Sequence, residues 1–366
     1  MAVSHLAGPV LIVGTGLLGT SVGLGLRAKG IQVYLQDISP TARGVAQDIG
    51  AGVILDDEQI NPQLVVIGAP PDVTAHLVGE SLLRYPQATV VDIASVKGSI
   101  LASVQADERL SQEHLSRYVG THPMAGREKS GPAAARGALF TAMPWVICAH
   151  AQAAEDSIMV AESLAIDLGA NMHRMSVQEH DASVALISHF PQAASSMIAS
   201  RLLNAPAHQL ALAGNGLRDT TRIAASDEKL WIQIFAHNAD ALVPILQGMK
   251  EDLDRLINTL QHPADPGALL DLSQLMTEGN AGHARIPGKH GAPPQAFAEV
   301  TVVVDDKPGQ IAALMAQIGE SGINIEDMRM EHSAGYQVGL IDVSVLPGRR
   351  DELIDVLTTH GWKVAQ

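Results

Sequence analysis

The sequence predicts an α/β chain with three parts: a doubly wound parallel sheet, an all-helical domain and a small βαββαβ domain. Strand and helix patterns alternate to about residue 175, apolar residues then recur at helical spacing to about residue 281, and strands return near the end. A chain of 366 residues exceeds what one core usually supports. We therefore assign residues 1–176, 177–281 and 297–366 to three domains, and the Gly-, Pro- and His-rich stretch 282–296 to a linker.

A glycine-rich turn lies between the first predicted strand and the first predicted helix. The apolar run 10–13 is followed by Gly14-Thr15-Gly16-Leu17-Leu18-Gly19 and by a helix of small residues. This G-x-G-x-x-G pattern is typical of the turn that binds a dinucleotide in a Rossmann-like sheet. Gly14 permits the tight turn, Gly16 lets a diphosphate reach the backbone, and Gly19 lets the helix lie close to the strand. The alternative is a tight turn without a ligand.

An acidic residue follows the second predicted strand. Residues 31–36 form an apolar strand that ends at Asp37, 18 residues after Gly19. A carboxylate at this place accepts hydrogen bonds from the adenosine ribose and repels a 2′-phosphate. The sequence therefore predicts NAD, rather than NADP, as the cofactor.

The remaining strands of the sheet place three loops at one edge. Apolar strands are predicted at 64–67, 89–92, 118–120, 145–148 and 172–175. Ligands of such sheets bind beyond the carboxyl ends of the strands. The loops expected to face the cofactor are 68–72, which contains Ala69 and Pro70, and the stretches 92–98 and 120–126.

Composition excludes several classes of partner. Hydrophobic residues make up 46% of the chain and charged residues 17%, so a large interior is expected and disorder is not. The net charge of −15 without a basic run argues against nucleic acid and anionic membranes as partners. The one cysteine, Cys148, lies in an apolar strand, and no metal site is expected. No stretch resembles a membrane span or a signal peptide, so we expect a cytoplasmic protein.

The middle of the chain shows helical periodicity. One helix is predicted around 186–197, with Pro191 expected to kink it. Later leucines and a methionine are spaced alternately by four and three residues, as in a seam that packs on a partner helix: Leu242, Leu246, Met249, Leu253, Leu256 and Leu260. Because this domain is too apolar to stand alone, we expect a homodimer through it.

The pattern of the last 70 residues predicts a ferredoxin-like βαββαβ unit. Strands are predicted at 298–304, around 323–330, at 337–345 and at 362–365, with helices up to 321 and at 349–360.

Several motifs resemble those of the prephenate dehydrogenase family, which includes arogenate dehydrogenases. They are the glycine-rich turn, residues 92–98, the run His122-Pro123-Met124-Ala125-Gly126 with residues 128–131, Ser188-His189-Phe190-Pro191, and residues 219–224 with Trp231. The tail resembles an ACT domain. The resemblance implies an oxidoreductase acting on a CH–CH donor, which decarboxylates prephenate oxidatively to 4-hydroxyphenylpyruvate in tyrosine biosynthesis. The alternative within the family is arogenate dehydrogenase, which gives tyrosine directly.

The resemblance also implies catalytic residues. His122, expected at the carboxyl end of a strand, would accept the substrate's hydroxyl proton, because imidazole titrates near working pH. Ser95 is similar to a family serine that hydrogen-bonds the substrate hydroxyl and the histidine. Otherwise Ser95 caps a helix that starts near Val96.

Other matching positions imply contacts with the substrate. Arg222 resembles an arginine that clamps a carboxylate, and we expect it to hold the pyruvyl side chain, because pinning the carboxylate that leaves as CO2 would oppose the reaction. Asp219 would orient Arg222 or form a surface ion pair. Glu128 would gate the site through ionic contacts, and Trp231 would lie near the substrate or pack in the core.

Three residues bear on the choice of substrate. His189 would contact the substrate or be structural. Gln192 stands where the family often has histidine, and an uncharged amide leaves the choice between a keto-acid and an amino-acid side chain open. Arg127 favours an anionic substrate, so we favour prephenate over arogenate.

The tail suggests regulation by L-tyrosine. The turn that contains Pro308, Gly309 and Gln310 precedes a helix whose N–H groups would take a carboxylate, and Asn324 is expected to meet the ligand from the next strand. Alternatively the tail serves dimerisation only. Two other classes of protein are alternatives: a related oxidoreductase with a catalytic lysine, although no lysine occurs between Lys129 and Lys229, and an amino-acid sensor with a vestigial nucleotide domain.

Overall fold

The computed structural model describes residues 5–56, 59–126, 129–287, 296–332 and 338–365. The chain divides into two compact units, Met1–Asp252 and Leu253–Gln366. The first unit holds both the predicted sheet and most of the predicted helical domain. The finer division at residues 176 and 281 stays a prediction.

The first unit is built on an eight-stranded sheet with the order β3-β2-β1-β4-β5-β6-β7-β8. Its strands are β1 (Val10–Val13), β2 (Val33–Gln36), β3 (Val53–Ile54), β4 (Leu64–Ile67), β5 (Thr89–Asp92), β6 (Tyr118–Pro123), β7 (Pro144–Cys148) and β8 (Asn171–Arg174). Strands β1 to β6 are parallel, and the strand order reverses between β1 and β4. This confirms the Rossmann-like sheet and places the ligand crevice beside β1.

The expectation of a wholly parallel sheet is wrong for the last two strands, β7 and β8, which run opposite to β1–β6. β7 runs antiparallel to β6, and β8 is parallel to β7. Between β6 and β7 the described chain forms only a short 3-10 turn, Pro132–Ala134, rather than a crossover helix. β7 therefore returns beside β6 in the opposite direction without, in the described residues, the helix that usually makes a parallel crossover.

Helices cover both faces of this sheet. They are α1 (Leu17–Ala28), α2 (Pro40–Asp48), α3 (Pro71–Arg84), α4 (Gly98–Gln105), α5 (Gln112–Leu115) and α6 (Glu155–Asp167). The side chains of β1 alternate between two apolar cores, with Val10 and Ile12 in one and Leu11 and Val13 in the other. The continuous apolar run of β1 thus reflects burial on both faces.

A helical part follows the sheet. It comprises α7 (Val177–Val184), a π-helical turn (Ala185–His189), α8 (Phe190–Ser200), α9 (Ala207–Leu210), α10 (Asn215–Thr221), α11 (Glu228–His237) and α12 (Ala239–Gln261). Pro191 lies in the first turn of α8, so the expected irregularity appears as the π turn just before it. Within the described ranges, no helix is both long and apolar enough to cross a membrane.

The second unit contains a four-stranded antiparallel sheet. After α13 (Ala268–His283) come β9 (Ala298–Asp305), α14 (Gln310–Glu320), β10 (Asp327–His332), β11 (Val338–Val345), α15 (Arg350–Thr359) and β12 (Lys363–Ala365). The sheet order is β10-β11-β9-β12, which confirms the ferredoxin-like βαββαβ arrangement. The second strand starts at Asp327, so Asn324 lies in the preceding loop and not in a strand as expected.

Candidate active site

The glycine-rich turn has the geometry of a diphosphate cradle. Gly14 has a φ of +103°, and a Cβ placed there would lie 2.4 Å from the carbonyl oxygen of Gly68. A Cβ at Gly19 would lie 2.0 Å from the carbonyl oxygen of Gly14. At Gly16 a Cβ would meet no atom within 4 Å. The first and third glycines are thus required by packing, whereas Gly16 leaves open space beside the N-terminus of α1.

Asp37 ties the end of β2 to this turn. Its Oδ2 accepts hydrogen bonds from the Thr15 backbone N (2.6 Å) and Oγ1 (2.9 Å), and its Oδ1 accepts one from the Ser39 N (2.7 Å). A carboxylate has about four lone-pair directions, so it can still accept bonds from ribose hydroxyls. Leu17 and Leu18 open α1, and Ala69 and Pro70 follow β4 at the same edge of the sheet. The residues present fit a bound NAD.

His122 lies near the carboxyl end of β6 and heads a buried hydrogen-bonded chain. Its Nδ1 is 2.8 Å from the Nε2 of His180, and the Nδ1 of His180 is 2.8 Å from the Oδ1 of Asp181. All three side chains are buried. His180 and Asp181 come from α7, so packing of this helix against the sheet brings the three groups together.

Asp181 also fixes the N-terminus of α4. Its Oδ1 accepts a hydrogen bond from the Lys97 N (3.0 Å), and its Oδ2 accepts one from the Gly98 N (2.7 Å). A Cβ at Gly98 would lie 2.7 Å from Oδ2, so glycine permits the close approach. Burial alone would raise the pKa of Asp181, but the hydrogen bonds from His180 and the two amides outweigh it and lower the pKa.

These bonds determine which ring nitrogens carry protons. The carboxylate of Asp181 only accepts, so the Nδ1 of His180 donates to it and the Nε2 of a neutral His180 has a lone pair. The Nδ1 of His122 must then donate to that lone pair. The Nε2 of His122 is left without a proton, which is the state that a general base requires.

The pKa of His122 is held well below that of a free imidazole. Burial is the main cause, and the nearby His180, Lys97 and His189 lower it further. The expectation that His122 titrates near neutrality is therefore wrong. His122 is neutral across the physiological pH range.

Ser95 lies between β5 and α4 and is half-buried. The alternative that it caps a helix is wrong, because α4 begins at Gly98 and the Asp181 carboxylate accepts from its first amides. The adjoining Lys97 is fully buried, and its Nζ forms an ion pair with Asp92. Tyr118 donates a hydrogen bond of 2.8 Å to the other carboxylate oxygen of Asp92. This network fixes the loop that carries Ser95.

His189 joins the same region through Asn238. The Nδ2 of Asn238 donates to the carbonyl oxygen of Asp181 (2.9 Å) and to the Nδ1 of His189 (3.0 Å). The proton of a neutral His189 is consequently on Nε2. Burial lowers the pKa of His189 to about 4. Its ring meets Trp231 edge to face, with centroids 6.0 Å apart.

The remaining predicted substrate residues lie on the helical part. Gln192 is buried, and its Oε1 accepts from the Oγ of Ser226 at 3.3 Å. Arg222 begins a 3-10 turn, Arg222–Ala225, that packs against α8. Asp219 lies one turn earlier in α10, and both are exposed. Arg127 and Glu128 lie outside the described residues.

The predicted effector residues lie on the second unit. Gly309, with a φ of +88°, precedes α14, whose first residue is Gln310, and the neighbouring Pro308 is exposed. The Nδ2 of Asn324 donates to the Oε1 of Glu326 at 2.7 Å.

Sequence reasoning missed His180, Asp181 and Asn238. A sequence signal marks only the start of α7, where Ser176 and Glu179 form a capping box. The roles of His180 and Asp181 depend on how α7 packs against the sheet. The local sequence pattern does not indicate that packing.

The fold, the cradle and the buried imidazole define a dinucleotide-dependent oxidoreductase. Family models described as "Prephenate dehydrogenase, nucleotide-binding domain" and "Prephenate dehydrogenase, dimerization domain" match residues 22–174 and 176–278. The chain belongs to the prephenate dehydrogenase family, a family of NAD oxidoreductases.

Individual relatives agree with this assignment. The protein named "Probable prephenate dehydrogenase NovF" from Streptomyces niveus is 32% identical over 96% of this chain and 98% of its own length. The prephenate dehydrogenase of Bacillus subtilis is 26% identical over 92% of this chain and 91% of its own. The structure of prephenate dehydrogenase from A. aeolicus with hydroxyphenyl propionate and NAD+ has a TM-score of 0.65 and 25% identity, covering 74% of this chain and 97% of that one. The cofactor is NAD.

Proposed function

We propose that this enzyme catalyses the oxidative decarboxylation of prephenate to 4-hydroxyphenylpyruvate. The observation that carries the proposal is the hydrogen-bonded chain that leaves the Nε2 of His122 as a bare acceptor near the carboxyl end of β6. Ligands of such sheets bind at this edge. A cytoplasmic location, expected from the sequence, is part of the proposal.

The reaction needs a proton acceptor more than any other group. NAD+, when bound, takes the hydride from C4 of the substrate ring. The C4 hydroxyl gives up its proton, the C1 carboxylate leaves as CO2, and its electron pair completes the aromatic ring and leaves a phenolate oxygen. That oxygen then takes a proton, so no proton is gained or lost overall. Aromatisation favours the products, and the protein has to orient the ring and hold one proton in the meantime.

In this proposal His122 takes the hydroxyl proton on Nε2. Its depressed pKa keeps the ring neutral and ready to accept, and the hydroxyl becomes acidic only as the hydride leaves. The Ser95 hydroxyl hydrogen-bonds the same substrate oxygen. The Lys97–Asp92 pair holds the loop of Ser95 in place.

The helical part supplies the substrate contacts in this proposal. Arg222 binds the carboxylate of the pyruvyl side chain by a bidentate hydrogen bond, with Asp219 orienting it. His189 offers its Nε2–H as a donor, because its Nδ1 accepts from Asn238. Trp231 packs against His189 and borders the substrate ring.

The choice of prephenate over arogenate rests on charge. Gln192 is an uncharged residue held by Ser226 and Ser196, so it brings no carboxylate to bind an ammonium group. Arg127 adds a positive charge, and Glu128 gates the site. Arogenate dehydrogenase is the second candidate, because the amide of Gln192 can also accept a hydrogen bond from an amine.

Initial rates of NADH formation with prephenate and with arogenate, measured side by side, test the proposal. We expect a higher kcat/KM with prephenate. A higher value with arogenate would favour the second candidate. If neither substrate produced NADH while L-tyrosine bound, the protein would instead be an amino-acid sensor.

We also propose a homodimer formed through the helical domain. Large apolar side chains of its helices are exposed in the single chain, including Leu186, Ile187, Met197, Met249, Leu253 and Leu260. Exposed apolar area of this kind marks an interaction surface. Sedimentation equilibrium should give twice the mass of the chain, and Met249→Asp should shift the protein towards monomer.

The tail is proposed as an ACT domain that binds L-tyrosine. The amide groups at the start of α14 would take the carboxylate, and the exposed Asn324 would meet the amino group. Asn324→Ala should abolish inhibition that is not competitive with substrate, whereas the exposed Glu320→Ala should preserve it. Purely competitive inhibition of the unmodified enzyme would contradict the proposal.

A further inference from the structure

We propose that His180 is a proton relay residue, with Asp181 as its counter-ion. The substrate's hydroxyl proton binds to the Nε2 of His122, and the Nδ1 proton of His122 passes to the Nε2 of His180. The positive charge then rests on His180 beside the Asp181 carboxylate. When CO2 has left, both protons move back, and the phenolate oxygen receives one from the Nε2 of His122. The inference rests on the proposed function and adds a second acceptor to it.

The geometry supports a transfer of this kind. Both links of the chain are 2.8 Å long, which is a normal hydrogen-bond distance. The two imidazole rings meet edge to face with centroids 5.1 Å apart. The Nδ1 of His122 and both ring nitrogens of His180 therefore have one defined partner each, and a proton can move along the chain without rotation of either ring.

Burial gives a reason for two acceptors rather than one. His122 has Lys97 and two histidines around it, and a positive charge held there is poorly solvated. His180 has a carboxylate at 2.8 Å instead. That carboxylate is itself fixed by the amides of Lys97 and Gly98 at the N-terminus of α4. A positive charge on His180 therefore lies in direct contact with a carboxylate, whereas one on His122 does not.

The overall reaction also fits a stored proton. The same oxygen loses a proton and later regains one, so the site does not need an exit to solvent. His180 is 1% exposed and His122 is 8% exposed. A proton held on His180 is shielded from water and remains available for return. His180 acts through His122 and does not touch the substrate.

A proton inventory of the first turnover tests the relay. NADH formation from prephenate is followed in a stopped-flow instrument, in mixtures of H2O and D2O, for the unmodified enzyme, His180→Gln and His173→Gln. Glutamine can still accept a hydrogen bond from His122 but cannot take a proton. His173 is exposed on β8 and serves as the matched control.

We expect the plot of rate against D2O fraction to be curved for the unmodified enzyme and for His173→Gln, because two protons move together. His180→Gln should give a straight line and a first turnover slower by about 10²-fold, the low end for loss of acid–base assistance. A straight line or no solvent effect in the unmodified enzyme overturns the relay, and this result needs no variant to fold. Unchanged curvature or rate in His180→Gln overturns it as well.

The outcomes separate the relay from the proposed function. If His122→Asn loses turnover while His180→Gln keeps the normal rate and curvature, the relay alone is wrong. If neither prephenate nor arogenate yields NADH with the unmodified enzyme, the proposed function is wrong and the relay falls with it.

Discussion

Asp37 should determine the choice between NAD and NADP, and the ratio of the activities with the two cofactors tests this although the substitution also loosens the turn. The carboxylate holds Thr15 through two hydrogen bonds, so Asp37→Ser alone would loosen the glycine-rich turn and weaken binding of both cofactors. Ile38 is 101% exposed, and Ile38→Arg therefore adds a phosphate partner at no cost in packing. The informative variant is Asp37→Ser combined with Ile38→Arg.

The expected size follows from the bonds exchanged. Hydrogen bonds to a charged group contribute about 1.5 to 3 kcal/mol, so loss of the ribose contacts should lower kcat/KM for NAD by roughly 10- to 150-fold. Loss of repulsion and the new arginine should raise kcat/KM for NADP by about 10-fold or more. The ratio of kcat/KM for NADP to kcat/KM for NAD should therefore rise by about 10² or more.

The assay is the initial rate with each cofactor at fixed saturating prephenate, with Ile38→Arg alone as the control. The control should keep its preference for NAD, because Asp37 still repels the 2′-phosphate. A wild-type enzyme that turns over faster with NADP at equal concentration, or a double variant with an unchanged ratio, would refute the reasoning.

Three further predictions concern the cradle, the substrate and the stability of the fold. Gly19→Ala should prevent normal folding because its Cβ would collide with the Gly14 carbonyl, whereas Gly16→Ala should keep the wild-type Tm and weaken NAD binding, as shown by thermal melts and NAD titrations. Arg222→Gln should raise the KM for prephenate by roughly 10- to 100-fold through loss of a charge-assisted hydrogen bond, with a smaller effect on kcat; an unchanged KM would remove Arg222 from the substrate site. The free energy of unfolding should fall as pH drops from 6.5 towards 4, because the pKa of His189 is about 4 in the folded state and near 6.5 in the unfolded state, so the unfolded chain takes up the proton first. Urea unfolding at pH 7 and pH 4.5 should show a loss of about 2 kcal/mol from this residue, and His189→Gln should show a smaller drop; equal drops would contradict it.

The sequence predicted the cofactor half of the site well, since its signals are local. The four apolar residues of β1 and the spacing of Gly14, Gly16 and Gly19 lie within one strand, one turn and one helix. A backbone constraint such as the positive φ of Gly14 favours glycine at that position, so the sequence reveals the constraint. The same holds for the ferredoxin-like tail, whose strand and helix order follows from hydrophobic periodicity.

Other features could not be predicted because they depend on packing between distant segments. His180 and Asp181 become significant only when α7 packs against β7 and α4, which brings His180 to the His122 side chain. The direction of β7 is another example, since a buried strand has the same apolar pattern whether it runs parallel or antiparallel. The pKa of His122 is a third example, because burial and three neighbouring basic side chains lower it, and the motif contains none of these.

The central claim is that His122 accepts the substrate's hydroxyl proton. The most direct test is the rate of NADH formation in the first turnover with prephenate, comparing the unmodified enzyme with His122→Asn. Asparagine keeps a hydrogen-bonding group of similar reach but takes no proton, so the rate should fall by about 10² to 10⁴ while the Kd for NAD stays within about twofold. In the unmodified enzyme the rate should already be constant from about pH 6.5 upwards, since the pKa of His122 lies well below that of a free imidazole. A near-normal rate in His122→Asn would contradict the claim.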